Sequence, residues 1–184
     1  MIREKTLQEG GSGGSCGRDR EWISEPSLSP DDYLLRVKAA CLKRGLRLTP
    51  LRAEVLRLIV AVARPIKAYD LVSEMTAING TTAPMTVYRT LDFLVEHGFV
   101  HRLQSMNAVI GCRRPDVPHS VPFLVCEHCH VASELDDDQI AGLFETLARG
   151  QGFQPRAQTL EVRGLCATCS KIVDVRENPS HARG

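Results

Sequence analysis

The sequence predicts an α+β chain in two units: four helices closed by a β-hairpin, then a small α/β unit built around four cysteines. Three observations carry this reading. Between Pro30 and Gly98 apolar residues recur at helical spacing in four successive segments, and two short strand-like runs follow. Beyond residue 120 short strand-like runs surround a single helix, and two C-x2-C pairs, Cys126/Cys129 and Cys166/Cys169, stand at strand ends. Charge divides the same way: residues 31–104 hold eleven basic and seven acidic side chains, residues 105–184 eight and ten.

Composition excludes several classes. With 184 residues and 43% hydrophobic content, the chain can bury one large core or two small ones. No apolar run approaches the ~20 residues of a membrane-spanning helix. The first fourteen residues lack the apolar segment of an export signal, so a cytoplasmic location is expected. In that compartment seven cysteines read as metal ligands rather than disulfides, and an odd number cannot pair completely. The basic excess of the first unit suits a polyanion, although a solvated basic face accounts for it equally well.

Residues 10–17 are glycine and serine around one cysteine, and Pro/Ser-rich sequence continues to Pro30, so residues 1–30 read as a flexible tail. Ser29-Pro30-Asp31-Asp32 then starts a helix, with a capping serine, proline at the first position and acids in the first turn. It runs to Arg44 with Leu34, Leu35, Val37, Ala40, Cys41 and Leu42 as its apolar side, and Gly45 stops it. Cys41 reads as a small core residue. Thr49-Pro50 opens a second helix to about Ala63, with Leu51, Val55, Leu58, Ile59 and Val62 in one stripe. A third spans residues 68–78, with Leu71, Val72 and Met75 inward. Thr81-Thr82-Ala83-Pro84 starts a fourth, which ends at His97-Gly98; Val87, Leu91, Leu94 and Val95 form its stripe and Arg89 projects opposite. Strand-like residues 99–103 and 108–112 follow, joined by Gln104-Ser105-Met106-Asn107. This is the element order of a winged helix-turn-helix.

In such a unit the helix before the hairpin enters the DNA major groove. Thr86, Tyr88, Arg89 and Asp92 on its outward face suit base edges and phosphates, and an arginine can grip guanine O6 and N7 with two hydrogen bonds. Tyr69 and Lys67, beside the third helix, could reach the duplex from the turn side. A buried helix with merely polar exposed positions is the competing reading, and the whole element order favours double-stranded DNA.

In the second unit residues 121–125 and 130–135 read as strands. Asp136-Asp137-Asp138 caps a helix over 139–149, with Ile140, Leu143, Phe144 and Leu147 as its stripe, and 158–162 is a further strand. Two thiolates three positions apart across a tight turn can share one tetrahedral zinc, and two such turns complete a closed site. The 36 residues between Cys129 and Cys166 exceed a compact zinc ribbon because a helix and strands are inserted. The competing reading is a thioredoxin-like dithiol, disfavoured because neither pair is expected to open a helix after a buried strand. A site of four thiolates leaves no position for water, so it supports structure rather than catalysis.

A second donor set, His101, Cys112, His119 and Glu134, lies where the two units meet; imidazole, thiolate and carboxylate together suit Zn²⁺. His97, His128, His130 and Asp116 compete for the same role. A thiol enzyme using Cys112 with His101 or His119 would need a third orienting group and an oxyanion element, and neither is recognisable. No enzymatic activity is expected.

Arg47-Leu48-Thr49-Pro50-Leu51-Arg52, Ala68-Tyr69-Asp70-Leu71, Thr86-Val87-Tyr88-Arg89 and Gly98-Phe99-Val100-His101 together resemble the ferric uptake regulator superfamily. The resemblance runs from about Tyr33 to Cys169, includes both C-x2-C turns, and is strongest to the zinc uptake regulator branch. Iron- and peroxide-sensing relatives usually carry an H-H-x-H segment before the first cysteine turn. Here Asp116-Val117-Pro118-His119-Ser120-Val121-Pro122 has one histidine. The stretch from Cys112 to His119 is one residue shorter than in the branch, while His119 keeps its seven-residue distance to Cys126.

The resemblance implies a homodimeric, metal-dependent transcriptional repressor of zinc-uptake genes that binds a palindromic operator. It assigns Cys126, Cys129, Cys166 and Cys169 to a structural zinc and His101, Cys112, His119 and Glu134 to a regulatory one, about two zinc ions per chain. Tyr69 and Arg89 match positions that read operator bases. The expected organisation is a winged-helix domain at 31–112, a hinge at 113–120, a dimerisation and metal-binding domain at 121–175, and a flexible tail at 176–184. An iron or peroxide sensor of the same superfamily, or a constitutive DNA-binding module with only a structural zinc, are the alternatives.

Overall fold

Side-chain caps set the first two helix starts. In the computed structural model of the chain, which describes residues 28–117, 121–135, 138–155 and 160–177, Ser29 Oγ accepts the Asp32 N–H at 3.1 Å. Pro30 follows at the head of α1 (Pro30–Lys43), and α1 ends before Gly45 at φ +65°, a conformation that glycine adopts without strain. Thr49 Oγ1 accepts the Arg52 N–H at 3.4 Å and starts α2 (Pro50–Val62). A two-residue strand, β1 (Ile66–Lys67), precedes α3 (Ala68–Asn79), and α4 (Pro84–Glu96) follows. The N-cap of α4 is Ala83; the Thr82 hydroxyl donates instead to the Met75 carbonyl at 3.2 Å, tying α4 to α3.

The hairpin is β2 (Val100–Leu103), one 3-10 turn (Gln104–Met106) and β3 (Ala108–Gly111), turned at Asn107 with φ +48°. β3 is central between β1 and β2, so the wing is anchored to the short strand that precedes α3. Val37, Cys41, Val55, Leu56, Ile59, Leu71, Met75, Val87, Leu91, Leu94 and Phe99 close the core, which includes Cys41 as expected. Two expected core positions of α1 lie outside it: Leu35 is 65% exposed and Leu42 77%, and the buried face is Tyr33, Val37, Ala40 and Cys41. In α2 the fully buried Leu56 replaces Val62, which lies at the solvent margin.

The second unit contains β4 (Pro122–Cys126), β5 (Ala132–Glu134), α5 (Asp138–Gly150), β6 (Leu160–Gly164) and α6 (Ala167–Glu177). β4 is central, antiparallel to β5 and parallel to β6. α6 was not apparent in the sequence and extends past residue 175. The expected N-terminal tail lies outside the described residues up to residue 27, as do His119, Asp136, Asp137 and residues 178–184. Among the described residues no helix is long and apolar enough to cross a membrane.

The wing rests on this second sheet. Leu103, fully buried, packs with Met106 and Ile110 against Val121, Phe123, Val125 and Ala132. That seam places the hairpin against β4 and β5, where the chemistry of the junction lies.

Candidate metal centres and nucleic-acid face

Parallel pairing of β4 with β6 explains how two distant cysteine turns meet. Cys126 stands opposite Gly164 at the C-terminal ends of neighbouring strands, so Cys166 arrives beside Cys126 despite the inserted helix. The first turn closes with the His130 N–H donating to the Cys126 carbonyl at 3.0 Å and with His130 at φ +60°. The second closes with the Ser170 N–H donating to the Cys166 carbonyl at 2.9 Å. This second pair does open a helix, contrary to expectation: Cys169 lies in the first turn of α6, although β6 before it is half-exposed rather than buried.

The sulfurs of Cys126, Cys129, Cys166 and Cys169 all lie within 4.8 Å of one another. Four thiolates at ~2.3 Å from one ion are ~3.8 Å apart in a tetrahedron, and Cys129 Sγ and Cys166 Sγ are separated by 3.8 Å. No disulfide joins the six cysteines among the described residues. Burial raises the Cys126 thiol, but backbone N–H groups of Cys129, Cys166 and His128 outweigh it and bring the group down to about 6. The site therefore favours thiolate, the ligand form. His128 Nδ1 lies 3.5 Å from Cys169 Sγ, so this competing ligand flanks the four sulfurs. These donors fit a closed structural zinc.

At the junction, His101 from β2, Cys112 just past β3 and Glu134 from β5 bring one donor atom each within 4.8 Å. His101 Nε2 and Glu134 Oε1 are 3.6 Å apart, near the ~3.3–3.8 Å edges of a tetrahedron with zinc–nitrogen, –oxygen and –sulfur bonds. The Arg113 N–H donates to Glu134 Oε1 at 3.0 Å. A carboxylate as buried as Glu134 requires compensation by a hydrogen-bonded partner or a cation. Burial, and then the Glu134 charge, push the Cys112 thiol well above its ordinary range. This mixed nitrogen, sulfur and oxygen set fits zinc with one further ligand. The fourth sequence candidate, His119, lies outside the described residues.

The other candidates are placed elsewhere. His97 stacks edge-on against Phe93, with ring centroids 4.5 Å apart. Asp116 pairs with Arg36 at 2.6 Å; burial raises its carboxyl, but its backbone hydrogen bond and Arg36 prevail and lower it. His130 is exposed. Arg44, at the end of α1, donates to the carbonyls of His97 and Asp116, each at 2.9 Å, and so ties α1 to the segment after Cys112.

On α4, Thr86, Tyr88 and Arg89 are exposed, as are Tyr69 on α3 and Lys67 on β1. Tyr69 is 74% exposed, unusual for a tyrosine that serves only packing. Asp92 differs from expectation: its carboxylate accepts from Arg102 on the wing at 3.0 Å, so it braces α4 against β2.

Fold and donor sets together define a metal-binding regulator of the winged-helix kind. The chain belongs to the Ferric uptake regulator family, whose profile matches residues 43–163. This is a family of DNA-binding transcription regulators and not of enzymes. The zinc uptake regulation protein of Escherichia coli (strain K12) is 37% identical over 142 residues, 77% of this chain and 83% of that protein. The crystal structure of holo XcZur is 51% identical with a TM-score of 0.70, covering 77% of this chain and 99% of the other. A zinc uptake regulator complexed with zinc and DNA is 36% identical with a TM-score of 0.74, covering 79% and 98%.

Proposed function

We propose that this chain is a zinc-responsive transcriptional repressor of zinc-uptake genes, working in the cytoplasm as a homodimer on a palindromic operator. The observation that carries the reading is the convergence of His101, Cys112 and Glu134 from both units within 4.8 Å. The similarity to zinc uptake regulators, one of them complexed with zinc and DNA, supports zinc and DNA as the ligands. Cys126, Cys129, Cys166 and Cys169 hold the structural ion, and His119 completes the regulatory set, giving two zinc ions per chain. Tyr69, Thr86, Tyr88 and Arg89 face the bases and Lys67 the phosphates.

When bound at the junction, zinc supplies a positive centre that holds four donors in one fixed geometry. The chain's own residues turn this into a switch. His101 moves with the wing and Glu134 with the second sheet, so joining them fixes the angle between the units. The α5 face of Leu143, Phe144 and Leu147, all about half-exposed in one chain, suits burial against a second copy, and β6 is an edge strand open to further pairing. In such a two-fold dimer the interdomain angle sets the spacing of the two α4 helices, which must match half-sites on one duplex face. A switch from 1:99 to 99:1 requires ~5.5 kcal/mol of differential binding to the closed form.

Metal content and operator binding, measured together on the purified protein, test the reading. The expected result is two zinc ions per chain, with operator binding lost when only the weaker ion is chelated. Operator binding indifferent to that chelation would leave a constitutive module. Restoration by Fe²⁺ or reversal by peroxide, but no response to Zn²⁺, would favour the sibling sensors.

A further inference from the structure

Glu134 and Glu161 stand in one row across the second sheet. Phe123 on β4 pairs with Glu134 on β5 and with Glu161 on β6, and directly paired residues share a sheet face. Both carboxylates meet the wing, at opposite ends. Glu134 lies at the hairpin's base with His101 and Cys112. Glu161 lies at its tip: Oε1 accepts the Gln104 N–H at 2.6 Å, Oε2 accepts the Ser105 N–H at 3.2 Å, and the Ser105 hydroxyl also donates to Oε2. The 3-10 turn that supplies these groups has no side-chain cap of its own. A carboxylate from 57 residues along the chain does that work, with charge-assisted bonds stronger than those of a neutral cap.

From this geometry we infer that Glu161 is a positioning residue for the DNA-binding form, the metal-independent half of a two-point grip on the wing. The inference rests on the zinc-switch reading above for its consequence, and on the observed bonds for the grip itself. Glu134 acts through the junction donors, whereas Glu161 takes backbone N–H groups that no ligand exchange releases. Without the Glu161 bonds only the apolar seam of Leu103, Met106 and Ile110 holds the tip to the sheet, and such a non-directional contact lets the wing pivot about the junction. With both ends held, its orientation against the sheet is determined. Glu161 also lies on β6, an edge strand of the second sheet. A second copy seated along that edge would therefore be coupled mechanically to the wing tip.

Glu161→Ala, Glu161→Gln and Ser105→Ala, each in the full chain, test the grip. The DNA probe is a duplex selected from random sequence by the wild-type protein in zinc. In Glu161→Ala, amide exchange at Gln104 and Ser105 should accelerate, while the four-cysteine zinc and the core amides stay as in wild type. Operator affinity at saturating zinc should fall about tenfold, the loss of about one charge-assisted hydrogen bond. Affinity for the second zinc should fall with it, because the ion and the grip favour the same closed form. Glu161→Gln, which keeps acceptor oxygen but not charge, and Ser105→Ala should both be milder. Unchanged exchange at residues 104 and 105, or faster exchange with unchanged operator and second-zinc affinities, would overturn the inference. If wild-type binding proved independent of zinc, the zinc switch would fail. The exchange rates and the operator affinity of Glu161→Ala would still decide the grip.

Discussion

The hydroxyl of Tyr33 and the backbone N–H of Cys112 donate to the same acceptor, the carbonyl oxygen of Phe99, at 2.6 and 3.2 Å. α1 thereby reaches the residue that supplies sulfur to the junction. Gly111 beside it lets β3 lie close to α2, where an added Cβ would come within 3.3 Å of Val60 Cγ2.

Tyr33→Phe should keep the fold, because the Phe99 carbonyl retains its bond from Cys112. The buried hydroxyl's net contribution is ~0.5–1.5 kcal/mol, and urea unfolding of the zinc-loaded protein should show a loss of that size. A loss beyond ~3 kcal/mol, above the cost of a single unsatisfied group, would mean that Tyr33 supports more of the junction than one acceptor.

Zinc loading at the junction should depend on pH through Cys112. Its thiol, raised first by burial and then by Glu134, holds a proton at neutral pH that the ion must displace. Second-site affinity should therefore rise about tenfold per unit between roughly pH 7 and 8. With the junction empty and the four-cysteine zinc in place, the protein should behave oppositely. Above ~8.5 the unfolded chain releases this proton while the folded chain keeps it, so folding stability falls as pH rises. Tyr33, raised by burial and then by Cys112, adds to the loss at still higher pH. Zinc competition and thermal melts across that range would check both signs.

Cys126→Ser removes one thiolate from the four-sulfur site, whose ion contributes to folding directly. Aggregated or unfolded protein is the expected outcome. A folded Cys126→Ser variant with unchanged thermal stability would refute the structural assignment.

Cys112→Ser, or His119→Ala, should instead leave the protein folded and hold about one zinc fewer per chain, since a three-ligand remnant binds more weakly. Operator affinity in zinc should drop to that of wild type from which only the junction zinc has been chelated. Full zinc-dependent binding by Cys112→Ser would remove the junction as the sensing site; loss of folding would make it a structural one.

Arg89→Ala should cost ~1–3 kcal/mol at one operator position and flatten base preference there, as expected for a bidentate guanine contact. Lys67→Ala should weaken all sequences alike and reduce the salt slope by about one. Binding measured against a panel of single-base operator variants at two salt concentrations separates the two. Intact preference in Arg89→Ala would exclude α4 as the reader.

The sequence by itself determined what local chemistry encodes. Ser29 and Thr49 start helices because their oxygens can accept nearby N–H groups, and Gly45 ends one because it tolerates positive φ. The two C-x2-C pairs announce a four-thiolate site because spacing and donor type are local properties. Local periodicity also overreached. It placed Leu35 and Leu42 inside because they are apolar and near the stripe, whereas only the partner helices decide which 100° of α1 is covered. The tertiary structure alone decided the rest. β1 is two residues long, too short for any period, and exists because β3 pairs with it. The parallel pairing of β4 with β6 brings Cys166 to Cys126. The row across β5, β4 and β6 sets Glu134 and Glu161 at two ends of one wing. Register between strands distant in sequence is a collective choice of packing and hydrogen bonding, and no single segment carries it.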